Sequence, residues 1–182
     1  MPISDADLVA RALLREDRHA FAALVRQHQS MVRGFLRRLC KSDNARADDL
    51  SQETFLKAWQ HLGSWRGGGR FSSWLCGIAW RQFLSDQRKR IPIPTNVEPP
   101  EAAVAHPAEQ LQRARDVQAA LRTLSDAEQA VMALCFTQDL THEEAADVLD
   151  MPLGTIKTHI HRGKDKLRGC LATWQDHAGG AA

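Results

Sequence analysis

Residues 141–174 read THEEAADVLDMPLGTIKTHIHRGKDKLRGCLATW. Thr141 with Glu144 three residues on is the signature of a helix start, where hydroxyl and carboxylate each satisfy a backbone amide of the other residue. A short helix is expected through Leu149, a turn over Asp150 to Gly154, and a last helix from Thr155 to about Trp174. Ile156, Ile160 and Leu167 recur at helical spacing and fix the inner face of that last helix. Around them stand Thr155, Lys157, Thr158, His159, His161, Arg162, Lys164 and Lys166. Those near the helix start are expected to point outward, where helix amides meet phosphate and side chains meet base edges. Short helix, tight turn, basic helix is helix-turn-helix order, an order that other helical hairpins also mimic.

Working upstream, Ser125 with Glu128 is a second capping box, opening a helix that ends near Thr137, and Pro107 to Leu124 makes the helix before it. Pro92, Pro94, Pro99, Pro100 and Pro107 crowd the stretch before that, where helix and ladder hydrogen bonds are both disfavoured. This stretch reads as a linker over 91–107. It separates an N-terminal domain, 1–90, from a C-terminal domain, 108–176, with a tail over 177–182. The expected fold class is all-α, because both domains carry apolar residues at spacings of three and four and neither shows strand-like alternation.

In the N-terminal domain Ser4 or Asp5 caps a short helix through Leu14, and a second helix runs from about His19 to Cys40 with Phe21, Leu24, Val25, Val32, Phe35, Leu36 and Leu39 on one side. A third spans Ala45 to Leu62, burying Ala47, Leu50, Phe55, Ala58 and Leu62, with Asp49, Gln52, Glu53, Leu56 and Gln60 opposite. The loop Gly63 to Arg70 contains the triplet Gly67-Gly68-Gly69, which is costly to hold in a helix. A fourth helix follows from Ser72 or Ser73 to about Arg90.

The 182 residues are 43% hydrophobic with a net charge of +2, but the charge is unevenly spread. Residues 1–95 carry +7 and residues 96–182 carry −5, although 154–172 alone carry +4. Two basic zones separated by an acidic stretch suggest two places that meet a polyanion. Charged residues interrupt any leader-like apolar run near the start, and the longest apolar run, Ala130 to Phe136, is far short of the ~20 residues that span a bilayer, so a soluble, cytoplasmic protein is expected. Cys40, Cys76, Cys135 and Cys170 form no CxxC pair, which fits reduced thiols better than a disulfide scaffold or a zinc ribbon.

The loop and fourth helix mix aromatic and basic side chains densely: Trp65, Arg66, Arg70, Phe71, Trp74, Trp80, Arg81, Phe83, Arg88, Lys89 and Arg90. Aromatic faces stack on unpaired bases, at about 1–3 kcal/mol per base, while Arg and Lys hold phosphates. Trp74 and Ile78 read as core at helical spacing; Trp80, Arg81 and Gln87 are harder to bury with them and read as nucleic-acid-facing. His159 and His161 lie on opposite sides of their helix, and His28, His61 and His142 lack partners at ligand spacing, so neither a metal nor another cofactor is expected. No hydrolase, metalloprotease or phosphate-loop motif is present. Neither catalysis nor a small-molecule substrate is therefore expected.

These residues resemble those of a family, the extracytoplasmic-function (ECF) sigma factors of bacterial RNA polymerase. DLVARA at 7–12 and AFAALVRQH at 20–28 look like its opening. DDLSQETFLKAW at 48–59 is similar to its polymerase-binding helix, and FSSWLCGIA at 71–79 to the start of its promoter-melting helix. LSDAE at 124–128, THEEAA at 141–146 and GTIKTHIHR at 154–162 resemble its C-terminal helix-turn-helix domain.

The resemblance implies that Asp49, Gln52, Glu53, Leu56 and Trp59 face core RNA polymerase. It implies that Trp65, Arg66, Arg70, Phe71, Trp80, Arg81, Gln87 and Arg88 meet promoter DNA at the minus-ten element, where a base is flipped from the non-template strand at a cost of a few kcal/mol. It implies that Thr155, Lys157, Thr158, His159, His161 and Arg162 read the minus-thirty-five element. It also implies an anti-sigma factor, commonly membrane-anchored, as a further partner. There are departures: where the family often has Asn and then Asp on its melting helix, this chain has Arg81 and Ser85, with an Asp at Asp86. The rival from another class is a stand-alone helix-turn-helix regulator, which would bind duplex DNA without polymerase.

Overall fold

The N-terminal helices form because each start has a cap and each inner face an apolar stripe. In the computed structural model, which describes residues 3–14, 17–41, 43–90 and 117–178 and the last eight of these by backbone alone, α1 spans Asp5–Leu14 and α2 spans Arg18–Leu39. Asp17 caps α2, accepting the amides of His19 and Ala20 at 2.9 and 3.1 Å. These amides and the Arg11 guanidinium hold its carboxyl below the usual carboxylate range. Helix α3 spans Asn44–Gln60 behind an Asp43 cap, and a 3-10 turn over Leu62–Ser64 closes it. Helix α4 spans Phe71–Lys89, starting one residue earlier than the serines suggest.

Helix α2 is the spine of this half and packs against α1, α3 and α4. Leu24, Val32, Phe35, Leu36 and Leu39 are buried along it, with Phe71, Leu75 and Phe83 of α4 in the same core. Burying each such side chain contributes about 1.5–3 kcal/mol.

In the C-terminal half, residues 117–122 are helical (α5), followed by α6 at Asp126–Thr137, α7 at His142–Leu149 and α8 at Leu153–Ala178. Both expected capping boxes are present, Ser125 with Glu128 and Thr141 with Glu144. The turn between α7 and α8 hinges on Asp150, whose φ of 54° is left-handed, a conformation Asp tolerates better than most residues. The Pro152 carbonyl then accepts the amides of Thr155 and Ile156, starting α8. Gly163 lets α8 approach α6 closely: a Cβ there would stand 3.3 Å from Met132 Cγ.

The described residues form no strand, and the architecture is all-helical, as expected. The proline-rich stretch 91–107, the start of the helix expected from Pro107, and residues 179–182 of the tail lie outside the described residues. The two halves touch directly, α2 against α6 and α4 against α7.

Candidate functional site

The α3 face opposite the core carries Asp49, Gln52 and Glu53, all exposed, with Leu56 at 57% and Trp59 at 36% exposure continuing the row. Leu56 and Trp59, one turn apart, leave neighbouring apolar side chains open beside carboxylates and an amide on this face. Asp48, one position away, is not available to it, because Arg33 of α2 pairs with its carboxylate and lowers its pKa. Trp59 stacks tilted on Phe21 at 4.9 Å, and the two line an open hollow of about 240 Å³ together with Arg18. Arg18 and Phe21 extend the α3 surface onto α2. Sequence periodicity puts Phe21 in the core and gives no reason to single out Arg18.

Gly67, Gly68 and Gly69 stand clear of the other described residues. A Cβ at Gly67, Gly68 or Gly69 would meet nothing within 4 Å, and Gly67 has φ of +74°, which only glycine adopts without strain. Arg66 and Arg70 flank it, both exposed. Behind it, Trp65 meets Phe71 edge-on at 5.4 Å, and Phe71 meets His28 at 5.3 Å and Trp74 at 5.3 Å. Phe71 is thus the buried centre of an aromatic cluster, not a surface ring, while Trp65 and Trp74 are half-buried at its edge.

One expectation on α4 is overturned and another holds in part, since Trp74 packs against the core without being fully buried. Trp80, expected to face nucleic acid, is 3% exposed and stacked on Phe83 at 5.8 Å; Trp74, expected in the core, keeps part of its ring open. Trp80 belongs with Phe83 to the buried core cluster. Gly77, one turn before Trp80, sits so close to α7 that a Cβ there would stand 3.3 Å from the Val148 carbonyl oxygen. Periodicity within one helix cannot reveal a second domain on its outer side.

Arg81 and Arg88 are exposed, and Gln87 is half-buried with its amide donating to Asp126 Oδ2 at 3.0 Å. Asp86 is occupied internally: Arg46 Nε donates to it at 2.7 Å and Arg90 lies at 3.3 Å, while the Arg46 guanidinium covers Phe83 at 5.2 Å. Asp86 therefore ties α3 to α4.

On α8, Lys157, Thr158, His161 and Arg162 are exposed, Thr158 Oγ1 donating to the Gly154 carbonyl at 2.9 Å and His161 lying 3.2 Å from Asp165. Thr155 and His159 are half-buried, and His159 Nδ1 is buried without a hydrogen-bond partner. That leaves His159 with only one outward ring nitrogen, less than the fully outward side chain expected. Glu128, buried at the start of α6, takes Lys166 of α8 at 2.7 Å and the Ser125 amide at 2.8 Å. Burial raises its pKa, but the Lys166 and Ser125 interactions together outweigh that and hold it below the usual value.

Among the described residues no group of His, Cys, Asp and Glu is placed to hold a metal ion, and no helix is long and apolar enough to cross a membrane. Burial pushes the Cys40 thiol up to about 11 and the Cys76 thiol up to about 12.

Residues 24–91 match the family model for sigma-70 region 2, and residues 111–167 match that for sigma-70 region 4. The chain is 34% identical over 157 residues to the ECF RNA polymerase sigma factor SigE of Mycolicibacterium smegmatis, which aligns with 82% of this chain; the chain spans 60% of that relative's length. It is 27% identical over 172 residues to the ECF RNA polymerase sigma factor SigW of Bacillus subtilis, covering 84% of this chain and 89% of that one. Among solved structures, it is similar to the sigma factor RpoE from Bartonella quintana, in complex with the anti-sigma factor NepR. That match has 27% identity and a TM-score of 0.66, covering 84% of this chain and 96% of that one. It is also similar to CnrH in complex with the cytosolic domain of CnrY, with 25% identity, a TM-score of 0.68 and coverage of 93% and 97%.

Proposed function

The chain belongs to the extracytoplasmic-function sigma factors, and from that membership we propose how its surfaces divide the work of starting transcription. It is an alternative sigma factor, a transcription initiation factor and not a catalyst, and the cytoplasm is where its partners would meet it. The α3 row of Asp49, Gln52, Glu53, Leu56 and Trp59 docks core polymerase. The glycine loop with Trp65, Arg66 and Arg70, joined by Arg81 and Arg88 of α4, captures the minus-ten strand once it separates. Phe71 serves that surface from beneath, as the ring on which Trp65 rests. Gln87 joins it once its bond to Asp126 opens, and Trp80, buried against Phe83, supports it from the core. Helix α8 reads the minus-thirty-five element through Lys157, Thr158, His161 and Arg162, with Thr155 and His159 at the edge of that surface.

The observation that carries this reading is the co-occurrence on one chain of an open acidic-apolar face on α3 and an open basic face on α8. A stand-alone regulator needs the second face and would use the first only to dimerise or to sense a signal. Gel shift of promoter duplexes with and without core polymerase separates the two: the sigma reading predicts sequence-specific retention only with core. Tight specific binding by the free protein, with no polymerase association, would overturn it.

The solved relatives bound to an anti-sigma factor and to a cytosolic domain support a protein inhibitor for this chain too; its anchoring at the membrane is carried over from the family resemblance alone. Co-purification from native cells, with and without detergent, tests both features.

A further inference from the structure

The glycine loop has little to hold it from within. Gly67 has a φ of +74°, a Cβ at Gly67, Gly68 or Gly69 would meet nothing, and Arg70 places no side-chain cap on the start of α4. The place of Trp65 at the head of this loop is therefore set by what lies beneath it.

The contacts beneath run in one line to the first turn of α1. Trp65 meets Phe71 edge-on, with ring centroids 5.4 Å apart and planes at 87°. Phe71, buried at 2% exposure, meets His28 of α2 at 5.3 Å and 61°. His28 Nε2 in turn lies 2.9 Å from Asp5 Oδ1. A carboxylate only accepts, so Nε2 carries the proton and donates it, which holds the imidazole in one orientation. Edge-on contacts depend on that orientation, because they set the positive rim of one ring against the negative face of the next. The far end of α1 reaches the same region: Leu13 Cδ2 would stand 3.9 Å from a Cβ at Gly63, in the 3-10 turn from which Trp65 emerges.

The His28 side chain is 15% exposed and that of Asp5 32%, and neither belongs to a surface assigned above. A leucine would fill the volume beneath Phe71; a ring tied to a carboxylate adds direction.

We propose that Asp5 and His28 are positioning residues for strand capture: Asp5 orients the His28 ring, His28 braces Phe71, and Phe71 presents Trp65 to the separated strand. This rests on the assignment of the glycine loop to the minus-ten strand. Through this line α1, which carries no assigned surface of its own, takes part in opening the promoter.

Asp5 allows a test that leaves the loop untouched. Holoenzyme is assembled on core polymerase with a promoter that the wild-type protein uses. Opening is followed by stopped-flow fluorescence of an adenine analogue in the non-template strand of the minus-ten element. Asp5→Ala removes the acceptor, and Asp5→Asn keeps one in its amide oxygen. His28→Gln keeps a donor for Asp5 and loses the ring edge against Phe71. Each is made alone and together with Trp65→Ala, and thermal unfolding and a core pull-down check that each variant folds and binds core.

Asp5→Ala and His28→Gln are expected to slow opening about fivefold, the size of one lost edge contact between aromatic rings, with core binding unchanged. Asp5→Asn is expected to stay close to wild type. With Trp65→Ala already present, neither Asp5→Ala nor His28→Gln is expected to slow opening further, because the line then ends on no ring. Side chains that merely stabilise the domain would slow opening equally in both backgrounds, and that result overturns the proposal. Opening at the wild-type rate by folded Asp5→Ala and His28→Gln overturns it too. If Trp65→Ala alone opens the promoter like wild type, the assignment of the loop to the strand fails, and the proposal with it.

Discussion

Replacing Trp80 with Ala removes a ring that is buried against Phe83, so the expected result is a loss of about 3–5 kcal/mol of stability, measured by denaturant unfolding. Arg81→Ala, at an exposed position on the next residue, is expected to leave stability within about 0.5 kcal/mol of wild type while reducing promoter opening. A Trp80 variant that folds normally and fails only in opening would mean the ring is open in solution. The thiols give a second check at this scale. With Cys40 and Cys76 buried and their thiols at about 11 and 12, neither carries much thiolate near neutrality. Iodoacetamide at pH 7.5, followed by peptide mass spectrometry, is expected to label both far more slowly than after denaturation. The half-buried Trp74 and the hollow at Arg18 are not legible from the sequence, because each depends on which neighbouring element covers a side chain, and periodicity reports only which side of its own helix a residue occupies.

At the scale of elements the sequence carries most of the fold. Both capping boxes, the α3 outer row and the short helix before α8 follow from residue type and spacing, since a cap or a stripe is decided within one or two turns. Asp43 and Asp17 caps and the 3-10 turn after α3 shift boundaries by only a residue or two. What spacing cannot supply is the pairing of elements, such as Arg46 of α3 with Asp86 of α4, forty residues apart.

The Glu128–Lys166 pair between α6 and α8 is of the same kind, and it has a pH signature. The folded pKa of Glu128 lies below its ordinary 4.5, so its contribution is fully present above that value and is lost as pH falls through the lower folded pKa. Lys166→Met is expected to lower the melting temperature at pH 7 and to flatten its fall between pH 5 and 3, measured by circular dichroism at fixed ionic strength.

For the whole molecule, the two basic zones visible in the sequence correspond to surfaces on different halves, and their salt dependence tells them apart. Each phosphate that a side chain ceases to neutralise reduces the slope of log affinity against log salt by about 0.9 on duplex DNA. The double variant Lys157→Ala, Arg162→Ala is expected to reduce the slope of holoenzyme binding by about 2, with core binding unchanged in a pull-down. Leu56→Asp on the α3 row is expected to do the reverse, weakening association with core at least tenfold while leaving the fold intact, because Leu56 is 57% exposed. The packing of the halves on one another is beyond the sequence: a mid-helix glycine at Gly77 hints at a close approach, but nothing in its neighbours names the partner.

The most direct measurement is permanganate footprinting of thymines in the non-template strand around minus ten, on a promoter selected by this protein with core polymerase. Reactive thymines are predicted with wild type, strongly reduced when Arg66, Arg70 and Arg81 are replaced together by Ala in a protein that still binds core. Full reactivity with that triple variant, or none with wild type bound to core, would contradict the account.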